Sequence, residues 1–393
     1  MPADMKNLKP VKVILHVVFF LSGIATVLIG QVLPVLIRKF SLNDLEAGYF
    51  FPAQFAGSLV GTFLTKYFGR SGKFFVATTV GCVLMASGIL LMNSSFFASC
   101  LVGFAINGLG IGLTLPSINL LILEMTEAGT AAALSLLNFC WGAGAIVSKP
   151  FVDYVGTPES IFLPTLALAI ALFLLMGILI TLPHSSRPYE PGAEVPTTST
   201  TRIWATPLAW TLAAFNFIHV GFESGIGGWM TTYADRLDPT SASKFLSPTL
   251  LYFSFFVLGR AVVPIVFKYI AENRMLICSL IGIAVGLLIA LTAADPLQLG
   301  IGASITGFGT STVFPTNVSR FARSFGPEAS RRATPFFIAG TLGSALLSWL
   351  IGYLSNQLGS LRLAMFVLLT SIVVLMGIQV ALMFRRTGMN RDG

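Results

Sequence analysis

Asn216 to Tyr233 reads NFIHVGFESGIGGWMTTY, and the placement of three polar side chains in this stretch decides how the whole chain is read. Asn216, His219 and Glu223 sit inside a long apolar segment. At about 100° per residue they fall within about 60° of one another, so one helix face presents an amide, an imidazole and a carboxyl group. Such a face does not point at lipid. An ionisable residue inside a membrane costs roughly 2.5 to 3.5 kcal/mol on insertion scales, and it persists mainly where it lines a cavity and performs a task. The pattern implies a membrane-embedded solute carrier in which Glu223 couples transport to an ion. His219, one turn away, either shares its proton or is satisfied by a backbone carbonyl.

Composition agrees with a bilayer as solvent. The 393 residues are 55% hydrophobic and 10% charged, with mean hydropathy +0.83, against a charged share of about 25% in ordinary soluble domains. The net charge of +8 is spread in short clusters between apolar runs rather than along one stripe, which argues against nucleic acid. Cys82, Cys100, Cys140 and Cys278 fall in or at the ends of apolar segments without metal-ligand spacing. They read as small core residues. No nucleotide-binding loop, hydrolytic triad or metal-ligand set appears, so the expectation is a protein that is not an enzyme and needs no cofactor.

Working outward from this stretch gives twelve spans, each long enough to cross about 30 Å of hydrocarbon. They run at about Val13 to Ile37, Ala47 to Phe68, Phe74 to Met92, Phe97 to Ile122, Ala131 to Val152 and Ile161 to Leu182, then Pro207 to Tyr233, Pro248 to Ile270, Met275 to Ala293, Leu297 to Val318, Pro335 to Leu354 and Leu363 to Phe384. Between the sixth and seventh, Pro183 to Ile203 is rich in Pro, Ser and Thr and reads as a linker. The expected organisation is an N-terminal bundle over 1–182, a linker over 183–203 and a C-terminal bundle over 204–393. Most Lys and Arg lie on the side of the termini, including Lys66, Arg70 and Lys73 after the second span and Arg320 and Arg323 after the tenth. By the positive-inside rule both termini are cytoplasmic, in a plasma or inner membrane.

An internal repeat supports two halves. A shift of 199 residues puts Gly103 on Gly302, Ile106 on Ile305, Gly108 on Gly307, Gly110 on Gly309 and Pro116 on Pro315. Glycines at such spacing let helices approach closely, and packing is the simpler reading for most of them.

Six spans, a polar linker, six spans and a basic loop after the second span resemble the major facilitator superfamily. The loop reads GTFLTKYFGRSGK, in which Gly61, Lys66, Gly69, Arg70 and Lys73 echo the superfamily pattern while Thr65 stands where the pattern has an acid. Within the superfamily the chain is similar to the fucose, galactose and glucose symporters, which include the L-fucose permease and the sodium-dependent glucose transporters. This likeness rests on Val220, Gly221 and Glu223 ahead of Tyr233 and Ala234, on Leu258, Gly259 and Arg260, on Phe314, Pro315 and Thr316, and on Asn138 with Gly142 and Ala143. It implies an all-α fold of two six-helix bundles and cation-coupled uptake of a sugar, driven by protons or by sodium, in a monomer. Gly30 and Leu115 occupy places where the fucose branch carries acids, so a mechanism built on those acids does not carry over.

The candidate site residues follow. Gln31, Gln54, Asn107, Asn119, Asn138, Asn216 and Asn317 offer amides to sugar hydroxyls, and Trp141, Trp229 and Trp349 offer flat faces. Asn138 and Trp141 stand out because they lie one turn apart on the resembling motif. Arg260 reads as a structural partner for helix ends, Lys66 and Arg70 as conformational residues, and Gly225, Gly227 and Gly228 as a hinge beside Glu223. His16 and Lys149 read as side chains that snorkel to their interfaces. Two other classes stay open: an efflux carrier for amphipathic compounds, for which the 33 Phe residues speak, and a non-transporting receptor, which would need a soluble domain.

Overall fold

The computed structural model describes residues 8–70, 73–126, 130–182, 203–238, 247–266, 269–326, 329 and 332–389. The expected linker falls, apart from Ile203, outside the described residues. Helices α1 (Leu8–Phe40), α2 (Asp44–Gly48), α3 (Phe50–Arg70), α4 (Phe74–Leu91), α5 (Phe97–Glu124), α6 (Thr130–Val155) and α7 (Phe162–Thr181) precede it. A short 3-10 turn at Ile203–Ala205 leads into α8 (Pro207–Leu237), α9 (Pro248–Val266), α10 (Glu272–Leu291), α11 (Pro296–Thr310), α12 (Val313–Phe325), α13 (Thr334–Leu358) and α14 (Leu361–Met389). Counting α11 and α12 as one interrupted span and setting α2 aside, the described residues form the twelve spans of an all-helical membrane protein. Among the described residues, eight helices are long and apolar enough to cross a bilayer by themselves.

Local chemistry explains the boundaries. Thr206 caps α8 by accepting from the Ala209 N–H, with Pro207 in the first turn, and Asp295 caps α11 by accepting from the Gln298 N–H at 2.9 Å, with Pro296 following. Both proline positions cost no intrahelical bond, because the first N–H groups of a helix have no partner anyway. The tenth span was expected to be continuous, and it is broken at Ser311 and Thr312. Pro315 has no N–H to give to the Ser311 carbonyl, which loosens the turn between α11 and α12.

The chain forms two compact units, one of Met1–Ser41 with Tyr49–Thr200 and one of Leu42–Gly48 with Thr201–Gly393. Each uses the same helix pairs. In the first, α1 packs on α6, α3 on α5, and α4 on α5 and α7; in the second, α8 packs on α13, α9 on α11, and α10 on α11 and α14. Glycines set the closest crossings at matching places. A Cβ on Gly144 would lie 2.0 Å from the Phe20 carbonyl, and one on Gly343 1.9 Å from the Phe217 carbonyl. Likewise a Cβ on Gly108 would meet the Gln54 carbonyl at 1.9 Å and one on Gly307 the Tyr252 carbonyl at 2.2 Å. Real Cβ atoms do not come so near, so at these crossings backbone packs directly on backbone.

Candidate functional site

The charged site lies wholly in the second unit, between α8 and α9. Glu223 Oε1 is 4.0 Å from an Arg260 guanidinium nitrogen, and Glu223 Oε2 is 3.7 Å from His219 Nε2, longer than a hydrogen bond. The side chains of Glu223 and Arg260 keep 20% and 30% of their surface exposed, whereas His219 is fully buried. The carboxylate is therefore reachable from outside the protein core while the imidazole is not. Neither His219 nitrogen has a hydrogen-bond partner among the described residues. Arg260 also lies 4.1 Å above the centroid of Phe256, whose ring stacks on buried Tyr252 at 6.1 Å and 14°. Residues 252, 256 and 260 follow one another at helical turns, so α9 presents its guanidinium on an aromatic base. Arg260, read from the sequence as a partner for helix ends, is also the counter-ion of Glu223.

The repeat gives this site a built-in comparison. Counting from the equivalent crossings at Phe20 and Phe217, His219 and Glu223 correspond to Ser22 and Thr26. Counting from Gln54 and Tyr252, Arg260 corresponds to Thr62. The first unit makes the same backbone crossings with neutral residues at all three of these positions. The helix packing itself therefore has no use for the three ionisable groups.

The other predicted residues of the second unit mostly tie helices together. Asn216 Nδ2 donates to the Phe336 carbonyl at 2.9 Å, Asn317 Nδ2 to the Leu212 carbonyl at 3.2 Å, and Trp229 Nε1 to the Ser348 carbonyl at 2.8 Å. All three are buried. Trp349 stacks on Tyr353 at 5.5 Å. Helix α8 continues without interruption through Gly225, Gly227 and Gly228; Gly225 faces the side chains of Ile351 and Leu368, and Gly227 the ring of Phe253.

In the first unit a neutral network joins three helices. Gln54 Nε2 donates to the Thr26 carbonyl at 2.9 Å, and Asn107 Nδ2 donates to the Ala25 carbonyl at 3.2 Å and to Gln54 Oε1 at 3.4 Å. Gln31 donates to Val27 and Asn119 to Leu115, each within its own helix. Asn138 is exposed and donates to the Leu134 carbonyl of its own helix. Trp141, one turn on, holds a buried Nε1 donor with no partner among the described residues. Lys66 is exposed, and the Arg70 side chain lies outside the described residues.

Thr65, which occupies the acid's place in the basic-loop pattern, has its own task. Pro116 on α5 cannot donate to the carbonyl of Gly112; the buried Thr65 hydroxyl reaches that carbonyl at 3.2 Å, sharing its one proton with the Gly61 carbonyl of its own helix at 3.1 Å and the Leu113 carbonyl at 3.3 Å. Sequence reading also passed over Phe256 and Tyr252, although their spacing from Arg260 was a usable signal. It passed over Asp44, Arg236 and Ser355 as well, where Arg236 donates bidentately to Asp44 and Ser355 donates to the same carboxylate. Nothing local in the sequence joins those three.

Comparison with known proteins fits this architecture. The glucose/mannose transporter GlcP of Bacillus subtilis is 23% identical over 388 residues, covering 94% of this chain and 93% of that protein. A putative glucose/galactose transporter of Helicobacter pylori is 25% identical over 388 residues, covering 88% of each. The crystal structure of the E. coli fucose:proton symporter FucP superposes with a TM-score of 0.62 at 17% identity, covering 95% of this chain and 98% of that one, which is a likeness of fold. The Major Facilitator Superfamily pattern matches residues 15–275. With more than half of the chain matched and two units built from the same helix pairs, this protein belongs to the Major Facilitator Superfamily.

Proposed function

We propose that the protein is a proton-coupled sugar importer that works by alternating access, with Glu223 as the proton carrier and Arg260 as its switch. The observation that carries this reading is the Glu223–Arg260 pair, set at positions whose equivalents in the first unit, Thr26 and Thr62, are uncharged. A sugar as cargo is supported by the names of the glucose/mannose and glucose/galactose relatives, and a proton by the fucose:proton symporter of like fold.

The chemistry follows from the pair. At about 4 Å two unit charges attract by about 4 kcal/mol at an effective dielectric of about 20. Protonation of Glu223 removes that attraction and frees the Arg260 guanidinium, which has five N–H donors and no acceptor, to bond sugar hydroxyls. Sugar and proton then favour each other's binding by the same factor, because coupling between two sites is reciprocal. Phe256 keeps the freed guanidinium in place. Asn138 and Trp141 supply further polar and aromatic contacts to the sugar, and Gly225, Gly227 and Gly228 are where α8 bends. Bundles over 1–182 and 204–393 rock about the 183–203 linker, with both termini cytoplasmic, in the inner membrane, as a monomer. Sodium held by the Glu223 carboxylate is the second reading. The efflux reading loses ground to the sugar-carrying relatives.

Thermal stabilisation of the purified protein against a panel of monosaccharides tests the cargo. A bound sugar at 100 times its dissociation constant adds about 2.7 kcal/mol, and Arg260→Ala abolishes the shift. A panel in which no sugar stabilises the protein, while amphipathic cations do, overturns the reading.

A further inference from the structure

Leu42–Gly48 belongs to the second unit, although Ser41 before it and Tyr49 after it belong to the first. Helix α2 packs on α13 and is held by three separate attachments, one to α8 and two to α13. Arg236 Nη1 donates to Asp44 Oδ2 at 2.8 Å while Nη2 donates to Oδ1, a bidentate pair. The Ser355 hydroxyl donates to Asp44 Oδ2. Gly352 lets the backbones touch: a Cβ there would lie 2.4 Å from the Asp44 carbonyl oxygen and 3.1 Å from Gly48 Cα. The short helix is pre-formed for this, since Asn43 Oδ1 accepts from the Glu46 N–H at 2.9 Å and Glu46 Oε2 accepts from the Asn43 N–H at 3.0 Å, a reciprocal capping box.

The composition of the contact separates a releasable joint from a fixed one. The buried residues of α2 are Ala47 and Gly48, so little apolar surface holds it down. The binding is chiefly ionic and hydrogen-bonded, with the Arg236 side chain 41% exposed and open to competing water. Arg236 and Ser355 lie in the last turns of α8 and α13, so the attachments sit at the face where these helices end.

We propose that Asp44, Arg236 and Ser355 form a releasable latch, closed in this structure, that lets go of Leu42–Gly48 when this face of the transporter opens. The latch rests on the alternating-access reading but not on the identity of the sugar or the ion. In a carrier whose two units move, a segment covalently continuous with one and docked on the other either restrains the motion or detaches during it.

The experiment places spin labels at Tyr49→Cys and Asn356→Cys, both exposed positions, in full-length protein in lipid nanodiscs with Cys140 and Cys278 replaced by Ser. Pulsed distance measurements are made on the otherwise native chain, on Asp44→Asn, on Gly352→Ala and on the charge swap Asp44→Arg with Arg236→Asp. The latch predicts one dominant short distance in the native chain and a several-fold larger long-distance population in Asp44→Asn and in Gly352→Ala. It also predicts that the swap returns the distribution toward the short distance. Identical short distances in all four proteins overturn it and mark the contact as a fixed anchor. Uptake measured in parallel keeps the two proposals apart: unchanged distances with intact sugar uptake sink the latch alone, whereas shifted distances in a protein that carries no sugar sink the cargo and leave the latch.

Discussion

The Arg260 guanidinium lies 4.0 Å from the Glu223 carboxylate and 4.1 Å from the centre of the Phe256 ring. One cation is thus shared between a group that can lose its charge and one that cannot, which makes Arg260 the element whose partner changes when Glu223 is protonated. A double-mutant cycle measures the link. Glu223→Gln and Arg260→Gln should each lower thermal stability, and the double variant should be more stable than the sum predicts, by about 1 kcal/mol for a pair that keeps a quarter or so of its surface wet. Strict additivity would show that the two charges do not feel each other.

Thr65 and Pro116 form a second coupled pair. Thr65→Val keeps the shape but removes the hydroxyl that the Gly112 carbonyl shares with Gly61 and Leu113, so stability should fall by about 1 kcal/mol. Pro116→Ala supplies the missing N–H, and in that background Thr65→Val should cost far less. An equal loss in both backgrounds, read from thermal unfolding in detergent, would remove the carbonyl from the explanation.

The proposed sugar contacts of the first unit are Asn138, which is exposed, and Trp141, whose buried N–H has no partner among the described residues. Asn138→Ala and Trp141→Phe should each raise the apparent KM for sugar about tenfold, on the order of 1.4 kcal/mol, with expression and melting temperature unchanged. A normal KM in both variants would take them out of the binding site.

The crossing of α8 and α13 leaves no room at Gly343, where a Cβ would lie 1.9 Å from the Phe217 carbonyl. Gly343→Ala should therefore lower stability and transport sharply, and Gly144→Ala should do the same at the matching crossing in the first unit. In contrast Gly282→Ala, where a Cβ meets nothing within 4 Å, should be neutral. Comparable losses in all three would show that the close crossings are not what these glycines serve, since Ala is the better helix former at each.

The twelve spans were legible because hydrocarbon thickness dictates length and hydropathy, and these are read directly from the chain. The repeat was legible for a related reason: Gly108 and Gly307 keep their spacing because both let backbone meet backbone. Glu223 and His219 could be found because an ionisable group is conspicuous in an apolar run. Its partner's role could not, since Arg260 lies on a different helix and only folding brings it to Glu223. The amides show the opposite case. Asn216, Asn107 and Asn317 look like ligand donors in sequence, yet each spends its amide nitrogen on a neighbouring helix, a choice that depends on which carbonyl lies within reach. The Asp44–Arg236 pair joins positions 192 residues apart, and its logic exists only in three dimensions.

The most direct test of the account is Glu223→Gln in proteoliposomes. The substitution keeps the size and hydrogen-bonding shape of a protonated carboxyl and removes its titration. The account predicts that sugar still binds and still exchanges across the membrane, while uphill accumulation driven by a pH gradient disappears. A Glu223→Gln protein that concentrates sugar against its gradient as the native protein does would contradict it.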